Sequence, residues 1–203
     1  MVLTLASAVG SGQSVTVAYT DPTAGNDASA VQDSAGNDAA SLSATSVTNS
    51  STVDQTSPTF VSAETNASGT TVTLTYSEPL SATTAASSAF AVTVGGVSRG
   101  VSSAAVSGST VVLTLASAVG SGQSVTVAYT DPTAGDDASA VQDSAGNDAA
   151  SLAATSVTNN STVDTVSPTF VSASTNTTGT TVTLTYSEPL SATTAASSAF
   201  AVT

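Results

Sequence analysis

Residues 71–80 read TVTLTYSEPL, and the first seven of them alternate between a polar and an apolar side chain. Val72, Leu74 and Tyr76 fall on one face of this segment, and the threonines fall on the other. A period of two residues is the signature of a β-strand with one buried face. The stretch therefore predicts a strand that contributes one side to a hydrophobic core.

Several other segments share this strand character. They are residues 60–61, 90–94, 101–106 (a weaker match), 111–115, 125–129 and 152–157. Residues 81–89 could form a short turn of helix at most. About seven strands separated by Gly, Pro, Asn and Asp turns predict an all-β fold, an antiparallel β-sandwich with an immunoglobulin-like Greek-key layout. The Cys and Trp landmarks of antibody domains are absent, so the prediction concerns the architecture alone.

An internal repeat sets the domain organisation. Residues 1–93 recur at 111–203 with nine differences, and 17 residues separate the two copies. The repeat unit is therefore 110 residues long, which is the size of a domain with its own core rather than of a solenoid repeat. The sequence predicts tandem immunoglobulin-like repeats arranged like beads on a string.

The boundaries between units follow from a second recurring motif. Ser-Pro-Thr-Phe occurs at 57–60 and again at 167–170, each time after a polar stretch typical of a linker. We therefore divide the chain into the C-terminal part of one repeat (1–54), one complete repeat (55–164) and the N-terminal part of the next (165–203). Met1 stands where the second copy has Val111, so we interpret the chain as a window on a longer tandem array.

The composition excludes several classes of function. The chain has one Arg, no Lys, His, Cys or Trp, and a formal net charge of −13. Disulfides, thiolate or imidazole metal sites and Ser-His-Asp chemistry are therefore impossible within it. A single cation cannot neutralise a row of phosphates, which argues against nucleic acid and against anionic membrane surfaces. No apolar run reaches the ~20 residues that membrane insertion as a helix needs. We expect no enzymatic activity, because no residue set meets the usual catalytic requirements.

The acidic residues are concentrated in two equivalent windows, 21–38 and 131–148, which hold nine of the fourteen acids. Oxygen ligands on flexible loops, without nitrogen or sulfur, are typical of a hard cation such as Ca²⁺. The candidate metal ligands are Asp131, Asp136, Asp137, Asp143, Asn147 and Asp148, with Asp21, Asp27, Asp33, Asn37 and Asp38 in the first window. The spacing matches no EF-hand. The alternative is purely structural, since Asp143-Ser-Ala-Gly146 suits a type I turn.

Other charged residues are weaker candidates. Asp54 and Asp164 precede the two linker prolines and could hold a cation between neighbouring units, although an ordinary solvated linker is the favoured interpretation. Glu78 and Glu188 follow a strand in Ser-Glu-Pro-Leu and are interpreted as turn residues. Arg99 is interpreted as a surface residue or a partner of a loop acid.

The order of these motifs carries a family resemblance. TVTLTYSEPL (71–80), Phe90, VVLTLASAV (111–119), SVTVAYTDP (124–132) and QDSAGN (142–147) follow one another within a unit. The unit resembles the tandem repeats of very large cyanobacterial surface proteins, one of them linked to non-flagellar swimming, and the broader group of bacterial immunoglobulin-like surface modules. The resemblance implies a secreted protein at the cell surface with a role in adhesion, a surface layer or motility, and it brings no catalytic residues.

Three functions remain open at this stage. The favoured one is a spacer or scaffold in a long extracellular protein or fibre, in contact with neighbouring repeats and stiffened by calcium. A second is an adhesin module that binds a cell-surface glycan. A third is a filament subunit, in which residues 165–203 of one molecule complete residues 1–54 of another, identical chain.

Overall fold

The computed structural model describes residues 1–193 and 195–202. The complete unit (residues 55–164) contains eight of the strands. They are β3 (Phe60–Thr65), β4 (Thr71–Tyr76), β5 (Phe90–Val94), β6 (Val97–Arg99), β7 (Val101–Ser107), β8 (Thr110–Leu115), β9 (Val125–Tyr129) and β10 (Leu152–Val157). A single 3-10 turn, Ser87–Ala89, precedes β5. The strands form two four-stranded sheets in which all pairs are antiparallel, and this confirms the all-β, antiparallel prediction.

The strand orders are β3-β4-β8-β7 in one sheet and β10-β9-β5-β6 in the other. Strands β6 and β7 therefore each lie at an edge. This order agrees with the predicted sandwich, while the finer Greek-key assignment stays a prediction. The short strand β6 is absent from the sequence-based prediction. It forms because Gly95 and Gly96 both adopt positive φ (60° and 81°), as a two-residue hairpin of type I′ requires.

The inner faces of the two sheets make one hydrophobic core. The alternation seen in the sequence becomes alternating burial: Val72 and Leu74 have 0% exposure and Tyr76 3%. On the facing sheet, Val127 is fully buried and Tyr129 is 1% exposed. Burying a Val or Leu side chain contributes about 1.5–3 kcal/mol, so the shared core of the two sheets supplies the main driving force for folding of the unit.

Two incomplete units flank the complete one. The N-terminal half-unit (1–54) has only β1 (Val15–Tyr19) and β2 (Leu42–Val47), and the C-terminal half-unit (165–203) has β11 (Phe170–Thr175), β12 (Val182–Tyr186) and a 3-10 turn, Ser197–Ala199. Each pair of strands forms a separate two-stranded sheet. Apolar residues that are buried in the complete unit are exposed in these half-units.

The linker after β10 is held against its own unit. The side-chain amide of Asn159 donates to the carbonyls of Gly120 and Gln123, both at 2.9 Å. Ser161 is 5% exposed, and its hydroxyl donates to the Val119 carbonyl at 2.6 Å. The sequence favours a solvated linker, but the structure shows that its first half is docked, because these side chains satisfy carbonyls of the loop after β8.

Among the residues that the structure describes, no helix is long and apolar enough to cross a membrane.

Candidate carboxylate site

The acid loop (residues 131–148) connects β9 to β10. Its middle is anchored to the core by Tyr129, whose buried hydroxyl accepts a hydrogen bond from the backbone N–H of Val141 at 2.9 Å. Gln142 pairs with Asp148, and Asp143 pairs with Leu80, through isolated β-bridges. The bridge to Leu80 attaches the loop to the segment that follows β4, and the bridge between Gln142 and Asp148 closes the loop on itself.

Within the loop, several aspartates cap turns. The carboxylate of Asp131 accepts from the Thr133 N–H at 3.2 Å, and that of Asp137 accepts from the Ser139 N–H at 2.7 Å. A hydrogen bond from the Thr133 side chain is the main reason why the pKa of Asp137 is lowered. Such side-chain to backbone bonds two residues along are the usual work of Asp in turns.

Asp143 is the most buried acid, with 3% exposure. Its carboxylate accepts from the Ala145 N–H at 2.8 Å, from the Asn147 N–H at 2.9 Å and from the Asn147 side-chain amide at 2.8 Å. Burial acts to raise the pKa of Asp143, but the bonds from Asn147 and the backbone outweigh it, and the net pKa is lowered. Asp143 therefore stays ionised inside the protein.

A second group of acids ties the two ends of the loop together. The Asp136 carboxylate accepts from the Asp148 N–H at 3.1 Å, and the Asp148 carboxylate accepts from the Asp137 N–H at 3.0 Å. Burial raises the pKa of Asp148, and the charges of Asp131, Asp136 and Asp137 raise it further. These four acids lie near one another. The hydrogen bonds that join Asp136, Asp137 and Asp148 each run from a backbone N–H to a carboxylate oxygen.

The first acid loop (residues 21–38) repeats these hydrogen bonds. Asp33 accepts from Ala35 and Asn37 as Asp143 does in its own loop. Where the second loop has Asp136, the first has Asn26, and the Asn26 side-chain oxygen accepts the same bond from the Asp38 N–H at 3.2 Å. An amide thus replaces the carboxylate in the turn, so the charge at this position is not needed for loop geometry.

Three carboxylates from distant parts of the chain meet at one point. Asp54 comes from the preceding linker, Glu78 from the turn after β4 and Asp143 from the acid loop, and one oxygen of each lies within 4.8 Å of the others. We call this group the carboxylate cluster. Within residues 1–193 and 195–202 it is the one group of three or more acidic side chains brought this close. Burial raises the pKa of Glu78, followed by the charges of Asp143 and Asp54.

Only two of the predicted metal ligands lie in or beside the carboxylate cluster. It contains Asp143, and Asn147 lies beside it, donating to the Asp54 carbonyl at 3.4 Å. The remaining predicted residues cap turns or contact one another elsewhere in the two loops; they are Asp131, Asp136, Asp137 and Asp148, with Asp21, Asp27 and Asp38 in the first loop. The metal assignment to the full set stays a prediction.

Sequence reasoning gave Glu78 only a turn role and Asp54 only a secondary one. The separations from residue 54 to 78 and from 78 to 143 form no local motif, so the spacing carries no ligand signal. The available signal was recurrence, because Asp164 and Glu188 repeat the first two members 110 residues later. There, burial raises the pKa of Glu188, and Asp164 raises it further.

The donor set suits a hard cation. Three carboxylate oxygens and a nearby backbone carbonyl are the ligand types that Ca²⁺ prefers. Because Ca²⁺ takes six to eight oxygens and Asp143 already accepts three N–H bonds, water would have to supply several positions. The cluster is thus an open, partly solvated site rather than a closed cage.

The architecture defines the class of protein: tandem all-β repeats with one complete sandwich in this chain. Residues 1–24 and 53–134 match the repeat family described as "Putative flagellar system-associated repeat". The chain belongs to this family, which confirms the resemblance to swimming-associated repeats. Residues 135–148 of the acid loop lie outside the matched region.

Structural comparisons find similarity to bacterial surface-layer proteins. The chain is similar to the N-terminal part of the bacterial S-layer protein SbsC, with 23% identity over 65% of this chain and 31% of that one, and a TM-score of 0.40. It is also similar to domains 1–6 of surface layer protein SbsC, with 22% identity over 66% of this chain and 18% of that one, and a TM-score of 0.39. The chain thus spans less than a third of the length of these structures. No curated protein matches the chain.

Proposed function

We propose that the chain is a structural repeat, a spacer that extends a long protein at the bacterial cell surface. It has no catalytic role in this proposal. The observation that carries it is the way in which the complete unit combines a closed core with a linker clamped to its own surface. In this proposal such a unit transmits force and sets distance without needing a ligand.

The linker is held to its unit by hydrogen bonds from a side-chain amide to backbone carbonyls, and these bonds recur in both linkers. Asn159 bonds the carbonyls of Gly120 and Gln123, and Asn49 bonds those of Gly10 and Gln13, all at 2.9 Å. The same side chain therefore holds the start of the linker against the same loop in both copies. Linkers held in this way favour a regular array over a flexible chain.

Single-molecule stretching of the 203-residue chain tests the spacer function. We expect one discrete unfolding event for the complete unit, adding roughly 350–400 Å of contour length for 110 residues. The half-units should extend at low force, since they lack a closed core. Extension without any event of this length would contradict a mechanical role.

The alternative function, glycan binding by an adhesin module, receives less support. The four aromatics of the complete unit all lie on strands and pack in pairs, Phe60 with Tyr76 at 6.3 Å and Phe90 with Tyr129 at 5.1 Å between ring centroids. No aromatic side chain of residues 55–164 is therefore displayed on a loop for a sugar to stack on. A glycan array would favour the adhesin only if the complete unit bound a defined sugar.

We also propose that Ca²⁺ binds the carboxylate cluster and stiffens the junction between units. Support comes from the position of the cluster, because Asp54 belongs to the linker entering the unit while Glu78 and Asp143 belong to the unit itself. A cation held between them would join the linker to the unit and offset the repulsion from Asp143 and Asp54, which adds to burial in raising the pKa of Glu78.

Calorimetric titration with Ca²⁺ tests this site. We expect binding and a higher melting temperature in the parent chain, and loss of both in Glu78→Gln. Asp136→Asn is the matched control, since the first acid loop carries Asn at that position and Asp136 lies outside the cluster. Binding that survives Glu78→Gln but is lost in Asp136→Asn would instead assign the cation to the acid loop. An absence of binding in the parent chain would overturn the calcium proposal.

A third proposal is end-to-end association of identical chains, which would let the protein act as a filament subunit. It is motivated by the two half-units, which correspond to residues 111–164 and 55–93 of one repeat.

A further inference from the structure

The complete unit has one closed edge and one open edge. On the closed side, the N–H of Thr65 donates to the carbonyl of Thr158, and the N–H of Thr158 donates to that of Ala63, both at 2.9 Å. These bonds join β3 to the segment after β10. On the other side, β6 and β7 end the two sheets. Within the part of the chain that the structure describes, the main chain of residues 101–106 has no hydrogen-bonding partner other than β8, so the outer edge of β7 is unpaired.

Strand β7 lacks the features that usually protect an edge. It is seven residues long, the longest strand among the described residues, whereas β6 has three. Its sequence, VSSAAVS, contains no charged side chain and no proline, and its one irregularity lies at its start, between Val101 and Ser103. Charges, prolines, bulges and short length are the means by which proteins block pairing at sheet edges. Residues 103–107 are therefore able to accept another strand.

The geometry of the hairpin determines which backbone groups of β7 are free. Gly108 has a φ of +61° and is the first residue of a two-residue turn, so the flanking pair, Ser107 and Thr110, exchanges hydrogen bonds. The direction of these bonds alternates along an antiparallel strand. The N–H and C=O groups of Ala104 and Val106 consequently point away from β8, and these are the groups that an incoming strand would bond.

The distribution of charge leaves the same edge accessible to a second molecule. Residues 79–130 contain no acid, and they include β5, β6, β7 and β8, which form the half of each sheet next to this edge. Arg99, at the end of β6, is the one charged side chain in this stretch. Two chains with a net charge of −13 therefore meet less repulsion when these acid-free halves approach each other.

We propose that two copies of the chain associate side by side through β7, antiparallel about a two-fold axis, with Ala105 of one copy opposite Ala105 of the other. In this register Ala104 of each copy exchanges hydrogen bonds with Val106 of the second copy, so the outward groups of both strands are satisfied. The two four-stranded sheets that contain β7 become one continuous sheet. This contact goes beyond the spacer function, because it joins neighbouring chains laterally.

The side chains of β7 favour a second copy as the partner. Ser103, Ala105 and Ser107 are exposed and small, so the outer faces of two such strands meet without a clash. On the inner face, Ala104 and Val106 are only partly buried against the core, and pairing would cover them further. No charge on β7 would select a strand of a different protein, whereas a two-fold contact requires only that the surface fits itself.

Amide hydrogen exchange followed by NMR at two protein concentrations tests the pairing. The N–H groups of Ala104 and Val106 should exchange rapidly in dilute solution. They should slow by about tenfold once about nine-tenths of the chains are paired, since a bonded N–H exchanges only after opening. The N–H of Ala105 points to β8 and is the internal reference. Equal exchange of Ala104 and Val106 at both concentrations would overturn the proposal: fast exchange would mean an unpaired edge, and slow exchange an edge covered within the unit.

Single cysteines test the register, since the chain has no cysteine of its own. Ala105→Cys should give a disulfide-linked dimer under mild oxidation, because opposite side chains lie close in a non-hydrogen-bonded antiparallel pair. Ala91→Cys is the matched control and should stay monomeric, because Ala91 is exposed on the interior strand β5. Equal amounts of dimer from both variants would mean random collision and overturn the contact. No dimer from Ala105→Cys, when the edge amides are protected, would overturn the register alone.

A charge at the same position tests the contact by sedimentation. A single-strand contact is small, so we expect weak, reversible dimers that NaCl strengthens by screening the net charge. Ala105→Lys should weaken dimerisation by about fivefold, because it places like charges opposite each other. Ala91→Lys adds the same charge away from the edge and should leave dimerisation unchanged. Equal effects of the two lysines would contradict an interface at β7.

Discussion

At the scale of single residues, Asp143 makes contacts both within its own turn and with residues that are distant in the sequence. Its carboxylate closes the Asp143–Asn147 turn through three hydrogen bonds, and the same group meets Asp54 and Glu78. Hydrogen bonds keep it ionised although it is buried. The negative charge that the turn requires is therefore also the charge that makes the cluster attractive to a cation.

Removing this side chain should destabilise the complete unit. We expect Asp143→Ala to lower the free energy of unfolding by about 2 kcal/mol, because buried N–H donors lose their acceptor. The pKa of Asp143 is lowered in the folded state, so its contribution is present at neutral pH and is lost as the pH falls through that lowered pKa. Denaturant titration at several pH values measures this, and the gap between variant and parent should close in acid.

Asp33→Ala provides the control for this substitution. Asp33 accepts the same three bonds in the first acid loop, but it lies in a half-unit without a closed core. The melting of the complete unit should not change. An equal loss of stability in both variants would mean that the effect does not arise from the buried turn.

At the scale of elements, the turn between β3 and β4 acts as a docking point. The turn residue Gly69 has a φ of +66° and lies against the backbone of Val119 and the hydroxyl of Ser161. Ser161 belongs to the linker, so one turn brings together a hairpin, the loop after β8 and the exit of the unit. Glycine is required here both for its backbone conformation and for the lack of space.

Gly69→Ala is expected to lower the free energy of unfolding by about 3 kcal/mol, because the added methyl group would overlap a backbone carbonyl that cannot move aside. Gly179→Ala carries the same backbone strain, with a φ of +67°, but meets no neighbouring atom. Thermal unfolding of the complete unit should therefore be unaffected by the second variant. Equal melting temperatures for Gly69→Ala and the parent would contradict the docking role of this turn.

At the scale of the whole molecule, charge is the dominant long-range term. The net charge is −13, and five acids lie in the single loop 131–148 of the complete unit. Arg99 is the one basic side chain in the sequence, and it donates to the hydroxyl of Ser117. Repulsion among acids therefore opposes compact packing along the array.

Salt should consequently stabilise the fold. Raising NaCl from about 10 mM to about 150 mM shortens the screening length from ~30 Å to ~8 Å, and we expect the melting temperature of the complete unit to rise by about 2–4 °C. Calorimetry at neutral pH with a chelator present isolates this effect from cation binding. In acid, where the carboxylates become protonated and the net charge falls, the rise should shrink. A melting temperature that falls with salt at neutral pH would contradict the repulsion argument.

Much of the fold could be predicted from the sequence because its strands have a strict local period. The alternation in residues 71–76 predicts which side chains are buried, since successive residues of a strand point to opposite faces. Strand β6 escaped prediction because three residues are too few to show a period. The turns of the acid loops are also local, because both copies make the same hydrogen bonds although only one has a complete core.

Tertiary structure alone decided the carboxylate cluster and the docked linker. Asp54, Glu78 and Asp143 approach one another only because the linker, the turn after β4 and the acid loop meet in the folded chain. The sequence by itself determined the strands, the turns and the repeat, since each depends on residues a few positions apart. It could not determine which distant carboxylates meet, because the separations from residue 54 to 78 and from 78 to 143 form no local motif.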